Sequence, residues 1–259
     1  MKKFGEEHSK SFLSKLKWLD PFTYVDLFVM PKVKKVSNSK IVEGVVNIFF
    51  AALFAIIIYS VIGFIFGNNT PLVIVYSESM EPDFYRGDII GLTGLNNQMN
   101  FGKEINLNQK INNIPTINFA EPIYSNNSLE KIVFSNGEEL FLDNISNNAT
   151  IVYPAFPSNI PIIHRTIVKI NALDGQFVLT KGDNQKTNPT FDQDCGQIDQ
   201  LRNSSEKICI TFYAIPIEQV QGVKFFKIPF IGCAKIWVFD NLISLITTGE
   251  LPKDFKGFC

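Results

Sequence analysis

Histidine is nearly missing from this chain. Two occur in 259 residues, His8 and His164, and cysteine is held to four. No C-x-x-C pair is present, so a zinc ribbon is not expected, and neither is any other metal centre. The sequence also lacks a G-x-x-x-x-G-K-[ST] loop and a G-x-G-x-x-G fingerprint. Nucleotide chemistry is thereby excluded, and no cofactor is expected. Charge of either sign is not in excess: 24 basic residues face 25 acidic ones, for a net charge of −1. Without a basic face, nucleic acid is not an expected partner.

The charge that is present is unevenly placed. Residues 1–44 hold nine lysines against five acids; the remainder holds fifteen basic residues against twenty acids. Between these regions lies one long uncharged run, residues 45–67 (VVNIFFAALFAIIIYSVIGFIFG). At 1.5 Å per residue it reaches roughly 35 Å, enough for a hydrocarbon core of about 30 Å. It starts too late and runs too long for a cleaved signal peptide. Lys32, Lys34, Lys35 and Lys40 precede it, which predicts a cytoplasmic N-terminus for residues 1–44 and an exterior location for everything after it. The expected location is therefore the cell membrane, single-pass, with the lipid bilayer as a partner. Upstream, residues 18–30 (WLDPFTYVDLFVM) read either as an in-plane helix on the cytoplasmic face or as a partner-binding segment.

Beyond the run, β-branched and aromatic stretches alternate with Gly, Pro, Asn and Asp clusters, and no helical period appears until the C-terminus. Strands are predicted at 71–76, 88–92, 131–134, 139–142, 150–153, 161–170, 176–181, 207–214 and 220–226. A mainly β ectodomain over 68–227 follows, with the Asn-rich stretch 95–148 as an insertion. Residues 228–259 form a C-terminal amphipathic segment. Lys235, Asp240 and Asn241 inside it favour a surface-lying or packed helix over a second span.

Two features fit the predicted topology. Sequons occur at Asn68, Asn126, Asn144, Asn148 and Asn203, none of them before the span, and mark candidate glycosylation sites. All four cysteines, Cys195, Cys209, Cys233 and Cys259, also follow it, where an oxidising exterior permits disulfides. Cys195 with Cys209 would close a short loop, and Cys233 with Cys259 would tie down the C-terminus. Three connectivities are open from sequence, and small buried thiols are the plain alternative.

The residues suited to chemistry lie in three blocks. The first is P71-LVIVY-S77-E-S79-M80-E-P82-DFY-R86-G87-D88: an apolar strand, then a serine, then a proline turn. The second is IP-II-H164-R165-T, the histidine within an apolar strand. The third is LT-K181-G182-D183-N184-QKT-N188-P189-TF-D192-Q-D194, a turn-rich run of carboxylates. A serine hydroxyl is a poor nucleophile without a base, and an imidazole base needs a carboxylate to orient it.

In this order, behind one span, the blocks resemble type I signal peptidases, the archaeal and endoplasmic-reticulum branch more closely than the bacterial one. Bacterial members carry lysine where His164 stands. The resemblance covers about residues 45–94, 150–192 and 218–236. It implies a coiled antiparallel β-domain near the membrane and a serine endopeptidase that cleaves signal peptides from exported preproteins. Small pockets would take small side chains one and three positions before the cut. Ser79 is then the nucleophile and His164 the general base. Ser77 helps form an oxyanion hole, and Asp183 supports the site. The family's aspartate spacing falls on Pro189; if Gln185-Lys186 is inserted, Asp192 restores it, with Asp194 the alternative. The protein-export translocon is an implied partner. Two other readings stay open: a peptidase dedicated to a specialised surface-protein precursor, and a non-catalytic β-domain that scaffolds exported chains.

Overall fold

The computed structural model describes residues 20–37, 39–96, 99–125, 128–142, 145–195, 210–250 and 259. The chain divides into two compact units, Met1–Ile65 and Phe66–Cys259.

The first unit is helical where described. α1 (Pro21–Tyr24) starts at Asp20, whose carboxylate accepts from the Phe22 N–H, with proline at the first position. A π-helical turn, Val25–Val29, leads into α2 (Met30–Val36). α3 (Lys40–Phe66) is 27 residues of almost continuous Ala, Ile, Leu, Val and Phe. It begins five residues before the apolar run because a polar first turn is capped by the Ser39 hydroxyl, which accepts from the Ile41 N–H. It stops at Gly67, whose φ of 59° is the left-handed conformation that glycine tolerates. Among the described residues, α3 alone is long and apolar enough to cross a membrane.

The second unit is mainly β. Its strands are β1 (Leu72–Ile74), β2 (Ile89–Thr93), β3 (Lys103–Asn106), β4 (Ala120–Ser125), β5 (Ser128–Phe134), β6 (Glu139–Phe141), β7 (Thr150–Ala155), β8 (Ile160–Ala172), β9 (Gly175–Lys181), β10 (Ile215–Pro216) and β11 (Gly222–Ile228). Eight form one sheet in the order β1-β2-β11-β7-β8-β9-β10, with β3 also paired to β8. All its pairs are antiparallel except β3–β8, which is parallel. Residues 210–214, expected within a strand, make only an isolated bridge, Tyr213 to Pro115. Short helices α4 (Gly232–Ile236) and α5 (Ile243–Thr248), joined by the π segment Trp237–Leu242, follow β11.

Within the stretch 95–148 a second small sheet is formed. β4, β5 and β6 make a separate antiparallel sheet. One apolar cluster joins it to the main sheet: Phe119, Leu129, Ile132, Phe134 and Leu140 share it with Ile167, Ile170, Phe177, Leu179 and Phe191. Phe191 precedes Asp192, so this core holds the chain entering the third sequence block.

Candidate active site

Ser79 owes its position to what is buried on either side of it. Val75, Met80 and Phe84 pack with Ile90, Leu92 and Val152 in a small core, whereas Ser77 is exposed and Ser79 half-buried. The strand end is pinned by the Arg-Gly-Asp block. The Val75 N–H donates to the Asp88 carbonyl at 2.9 Å, and the Gly87 N–H donates to the Val75 carbonyl at 2.8 Å. Arg86 Nη1 donates to the Tyr76 carbonyl at 2.9 Å, and Arg86 Nε to that of Cys259 at 2.6 Å. Glycine is required at 87: φ is 85°, and a Cβ there would lie 2.1 Å from Cys233 Sγ and 2.2 Å from Cys259 Sγ.

His164 lies on β8, four strands from β1 in the sheet order, yet its ring meets the Ser79 hydroxyl. The Ser79 Oγ–His164 Nε2 separation is 2.9 Å, and His164 Nδ1 lies 2.7 Å from Asp192 Oδ2. Histidine and aspartate are both buried. The same Oδ2 accepts from the Tyr153 hydroxyl at 2.7 Å and from Thr180 Oγ1 at 2.6 Å, while Oδ1 is buried without a hydrogen-bond partner. Burial raises the pKa of Asp192, but the charge of His164 and hydrogen bonds from His164, Thr180 and Tyr153 outweigh it. The carboxyl is held below its ordinary value. Burial, then the Asp192 charge, pushes the Tyr153 phenol well up, so Tyr153 stays a neutral donor. An ionised carboxylate only accepts, so in a neutral imidazole Nδ1 carries the proton and the Nε2 lone pair is left to face the Ser79 hydroxyl. Ser77 Oγ is 3.0 Å from Ser79 Oγ.

The third block reaches the serine through backbone contacts. The Asn184 N–H donates to the Ser79 carbonyl at 2.9 Å, and Asn184 Nδ2 donates to the Glu78 carbonyl at 2.9 Å. A Cβ on Gly182 would meet the Ser79 carbonyl oxygen at 2.7 Å, so glycine permits this approach. Gln185 and Lys186 lie in a turn closed by the Asn188 N–H on the Asn184 carbonyl at 2.8 Å. The Asp192 N–H then pairs with the Thr180 carbonyl at 2.8 Å, which turns its side chain towards His164. Asp194, the alternative acid, lies elsewhere: it accepts from Thr190 Oγ1 at 2.7 Å and from Tyr124. Past the turn at 191–194 its side chain faces the insertion, not His164.

Arg165 ties these segments together. Its Nε and Nη2 donate to the two Asp183 oxygens at 2.8 and 2.6 Å, and Nη2 also reaches Asp83 at 2.8 Å. Nη1 bonds the Ser146 and Asn148 carbonyls. Burial opposes the Arg165 charge, but Asp183 and then Asp83 more than compensate, and its pKa is raised. Asp183 therefore bonds Arg165 rather than the Ser79–His164–Asp192 line. A cavity of about 860 Å³ opens beside this cluster, lined by Asp83, Arg165, Lys181, Asp183 and Lys224 but by none of those three residues. Arg165→Ala leaves Asp183 without its ion-pair partner, while Asp83 keeps Lys224 at 3.1 Å. The expected loss is about 3–5 kcal/mol, read from denaturant unfolding of the full chain in detergent. Arg165→Lys is expected to recover only part of it, because an ammonium cannot reproduce the planar fork.

Sequence reasoning did not single out Tyr153, and it gave no role to Arg165 or Thr180, although both stand in the quoted blocks. The available signal was polarity inside apolar strands, as in Phe177-Val-Leu-Thr180. Cys233 and Cys259 are joined by a disulfide, Cys195 is disulfide-bonded, and no described cysteine is free. Cys209 lies outside the described residues, as do Asn126, Asn144 and Asn203. The two described sequons turn inward. Asn68 is buried, its side chain accepting from the Thr70 N–H at 2.8 Å, and Asn148 Nδ2 donates to the Thr166 carbonyl at 3.0 Å. No group of His, Cys, Asp and Glu suited to a metal ion occurs among the described residues.

No family profile matches the chain. It is 25% identical over 220 residues to the signal peptidase complex catalytic subunit sec11 of Schizosaccharomyces pombe, covering 85% of this chain and 94% of that protein. It is 27% identical over 130 residues to the signal peptidase complex catalytic subunit SEC11 of Scheffersomyces stipitis, covering 50% and 51%. To the human subunit SEC11C it is 26% identical over 168 residues, covering 64% and 62%. The chain thus spans nearly all of the first relative and about half to two thirds of the others. Its resemblance to signal peptidases extends well beyond the three blocks that first suggested it.

Proposed function

We propose that the chain is a membrane-anchored serine endopeptidase that removes signal peptides from exported preproteins. The observation that carries this reading is the hydrogen-bonded line Ser79 Oγ–His164 Nε2, His164 Nδ1–Asp192 Oδ2. Ser79 Oγ attacks the scissile carbonyl carbon as its proton passes to His164 Nε2. The resulting oxyanion is held by the Ser77 hydroxyl and the Ser79 N–H. His164 then gives that proton to the leaving amine, and the new N-terminus departs. Water, deprotonated by the same Nε2, attacks the acyl carbon; the bond to Ser79 Oγ breaks and Nε2 returns the proton to that oxygen. Asp192 fixes the imidazole tautomer throughout.

The substrate binds extended. Among the described residues, β1 is an outermost strand of its sheet, paired on one side only, to β2. Residues 160–164 of β8 pair with β7 but have no β9 partner. Ser79 and His164 lie at these two open edges, and a preprotein strand supplies the missing hydrogen bonds. α3 is the anchor, the lysine-rich N-terminus is cytoplasmic, and the β unit is extracytoplasmic. Only twelve residues separate Gly67 from Ser79, a reach of at most about 43 Å, so the serine stays near the exit of the export translocon.

The reading is tested by incubating the detergent-solubilised protein with a preprotein and sequencing the new N-terminus. A single cut after the signal peptide supports it; an intact preprotein contradicts it. Ser77→Ala is expected to lower kcat by about 10²–10³-fold with KM little changed. Steady-state kinetics on a signal-peptide substrate measure this.

A further inference from the structure

Lys181 is a buried cation for which the chemistry at Ser79 has no use. It ends β9, is 2% exposed, and lies in the wall of the cavity of about 860 Å³ beside Arg165. An ammonium can donate three hydrogen bonds. Among the described residues Lys181 Nζ makes one, to the Gly182 carbonyl at 2.9 Å, and has no carboxylate within ion-pair distance. The other cations of the cavity are matched: Arg165 holds Asp183 and Asp83, and Lys224 lies 3.1 Å from Asp83. Burial pushes the Lys181 pKa down, and the charges of Asp192 and Asp183 offset this only in part. A buried ammonium with donors left over is stabilised by an anion that reaches it.

The strands lead a substrate to this cavity. The open edges, β1 and residues 160–164 of β8, both run towards Ser79 and His164, and none of their residues lines the cavity. Past His164 the way along the edge is closed, because β8 pairs with β9 from Arg165–Lys181 onward. A chain lying on these edges must therefore leave the sheet plane at the cut. Successive side chains of a strand point to opposite faces. One face at this point is filled by His164 and Thr180, with Asp192 and Tyr153 buried against them. The other carries Arg165 and Lys181 and opens into the cavity. Gly182, against which the Ser79 carbonyl packs, belongs to its wall, as does Pro82. Pro82 is three residues from Ser79, a reach of about 10 Å, or about three substrate residues. Leu129 and Phe141 of the small sheet add apolar wall, with exposed Glu130 beside them. A volume of this size holds several side chains.

We propose that the cavity binds the first few residues of the mature chain, after the cut, and that Lys181 selects an acidic side chain among them. The inference rests on the chain being an endopeptidase that cuts signal peptides at Ser79. Otherwise identical signal-peptide substrates, with Glu or Gln at each of the first five positions after the cut, are given to the full-length protein in detergent. The ratio of kcat/KM between the members of each pair is the readout. Wild type is expected to favour Glu by about five- to ten-fold at one position or two adjacent ones, mainly through KM. Lys181→Met, which keeps chain length but not charge, is expected to bring that ratio below about two. Glu130→Gln removes a repelling carboxylate and is expected to widen the ratio about two-fold; a ratio that narrows instead would overturn the proposal. Cleavage of every substrate without a Glu preference at any position would overturn it while the peptidase reading stands. A preference that survives Lys181→Met would do the same. If wild type cleaves none of the substrates, the peptidase reading fails and this inference falls with it.

Discussion

Ser79→Ala is expected to lower signal-peptide cleavage by about 10⁴–10⁶-fold while leaving the fold in place. The loss is large because the hydroxyl supplies the bond-forming atom, and His164 alone is left to work on water. The structural consequence is small by contrast. Ser79 is half-buried, and its segment is held by buried Met80 and Phe84 and by the Asn184 hydrogen bonds to the Ser79 and Glu78 carbonyls. None of these involves the Ser79 hydroxyl. Single-turnover cleavage and a thermal unfolding profile, measured on the same preparation, separate the two effects. Cleavage within ten-fold of wild type would remove Ser79 from the chemistry.

Asp192→Asn is expected to lower kcat by about 10⁴-fold with KM nearly unchanged. The amide that replaces the carboxylate can donate to Nδ1. The imidazole proton then moves to Nε2, where no lone pair remains to take the Ser79 proton. Tyr153 and Thr180 donate to the same oxygen that faces Nδ1, so an amide nitrogen in that place leaves both without their acceptor unless the hydroxyls rotate. Stability should carry a pH signature with a definite sign. The folded pKa of Asp192 lies below its ordinary value of 3.8. Its ionised form therefore stabilises the fold above that ordinary value, and the contribution fades as pH falls through the lower folded value. Unfolding free energies of wild type and Asp192→Asn should differ by a constant amount near neutrality. They should converge only in strong acid, and convergence already at pH 6 would contradict the pairing.

Local chemistry explains which of these residues could be read from the sequence. Ser79 and His164 stand in short motifs whose neighbours identify them: a buried Met and a proline turn beside one, an apolar strand with arginine beside the other. Asp192 required allowance for the turn at 184–188, which shifts the carboxylate along the chain while the Asp192 N–H still pairs with the Thr180 carbonyl. Tyr153 and Thr180 were hidden because β7 and β9 meet the same carboxylate only once they flank β8 in the folded sheet. The two strands missed in the insertion failed for different reasons. β3 exposes three of its four residues and pairs in parallel with distant β8, so it carries no hydrophobic alternation. β4 contains Pro122, which reads as a break but is tolerated because β4 is an edge strand of its small sheet. The predicted parting of the chain into a long apolar helix and a β-rich remainder needed only composition and period.

A serine-directed acylating probe tests the central claim most directly. The full-length protein is treated in detergent near neutral pH, digested, and its peptides are mapped by mass spectrometry. The adduct is expected on Ser79 alone, absent from the Ser79→Ala protein and strongly slowed in Asp192→Asn. A labelled residue elsewhere, or no label in a preparation that still cleaves preprotein, would contradict the account. Neither label nor product would instead leave a membrane-anchored scaffold.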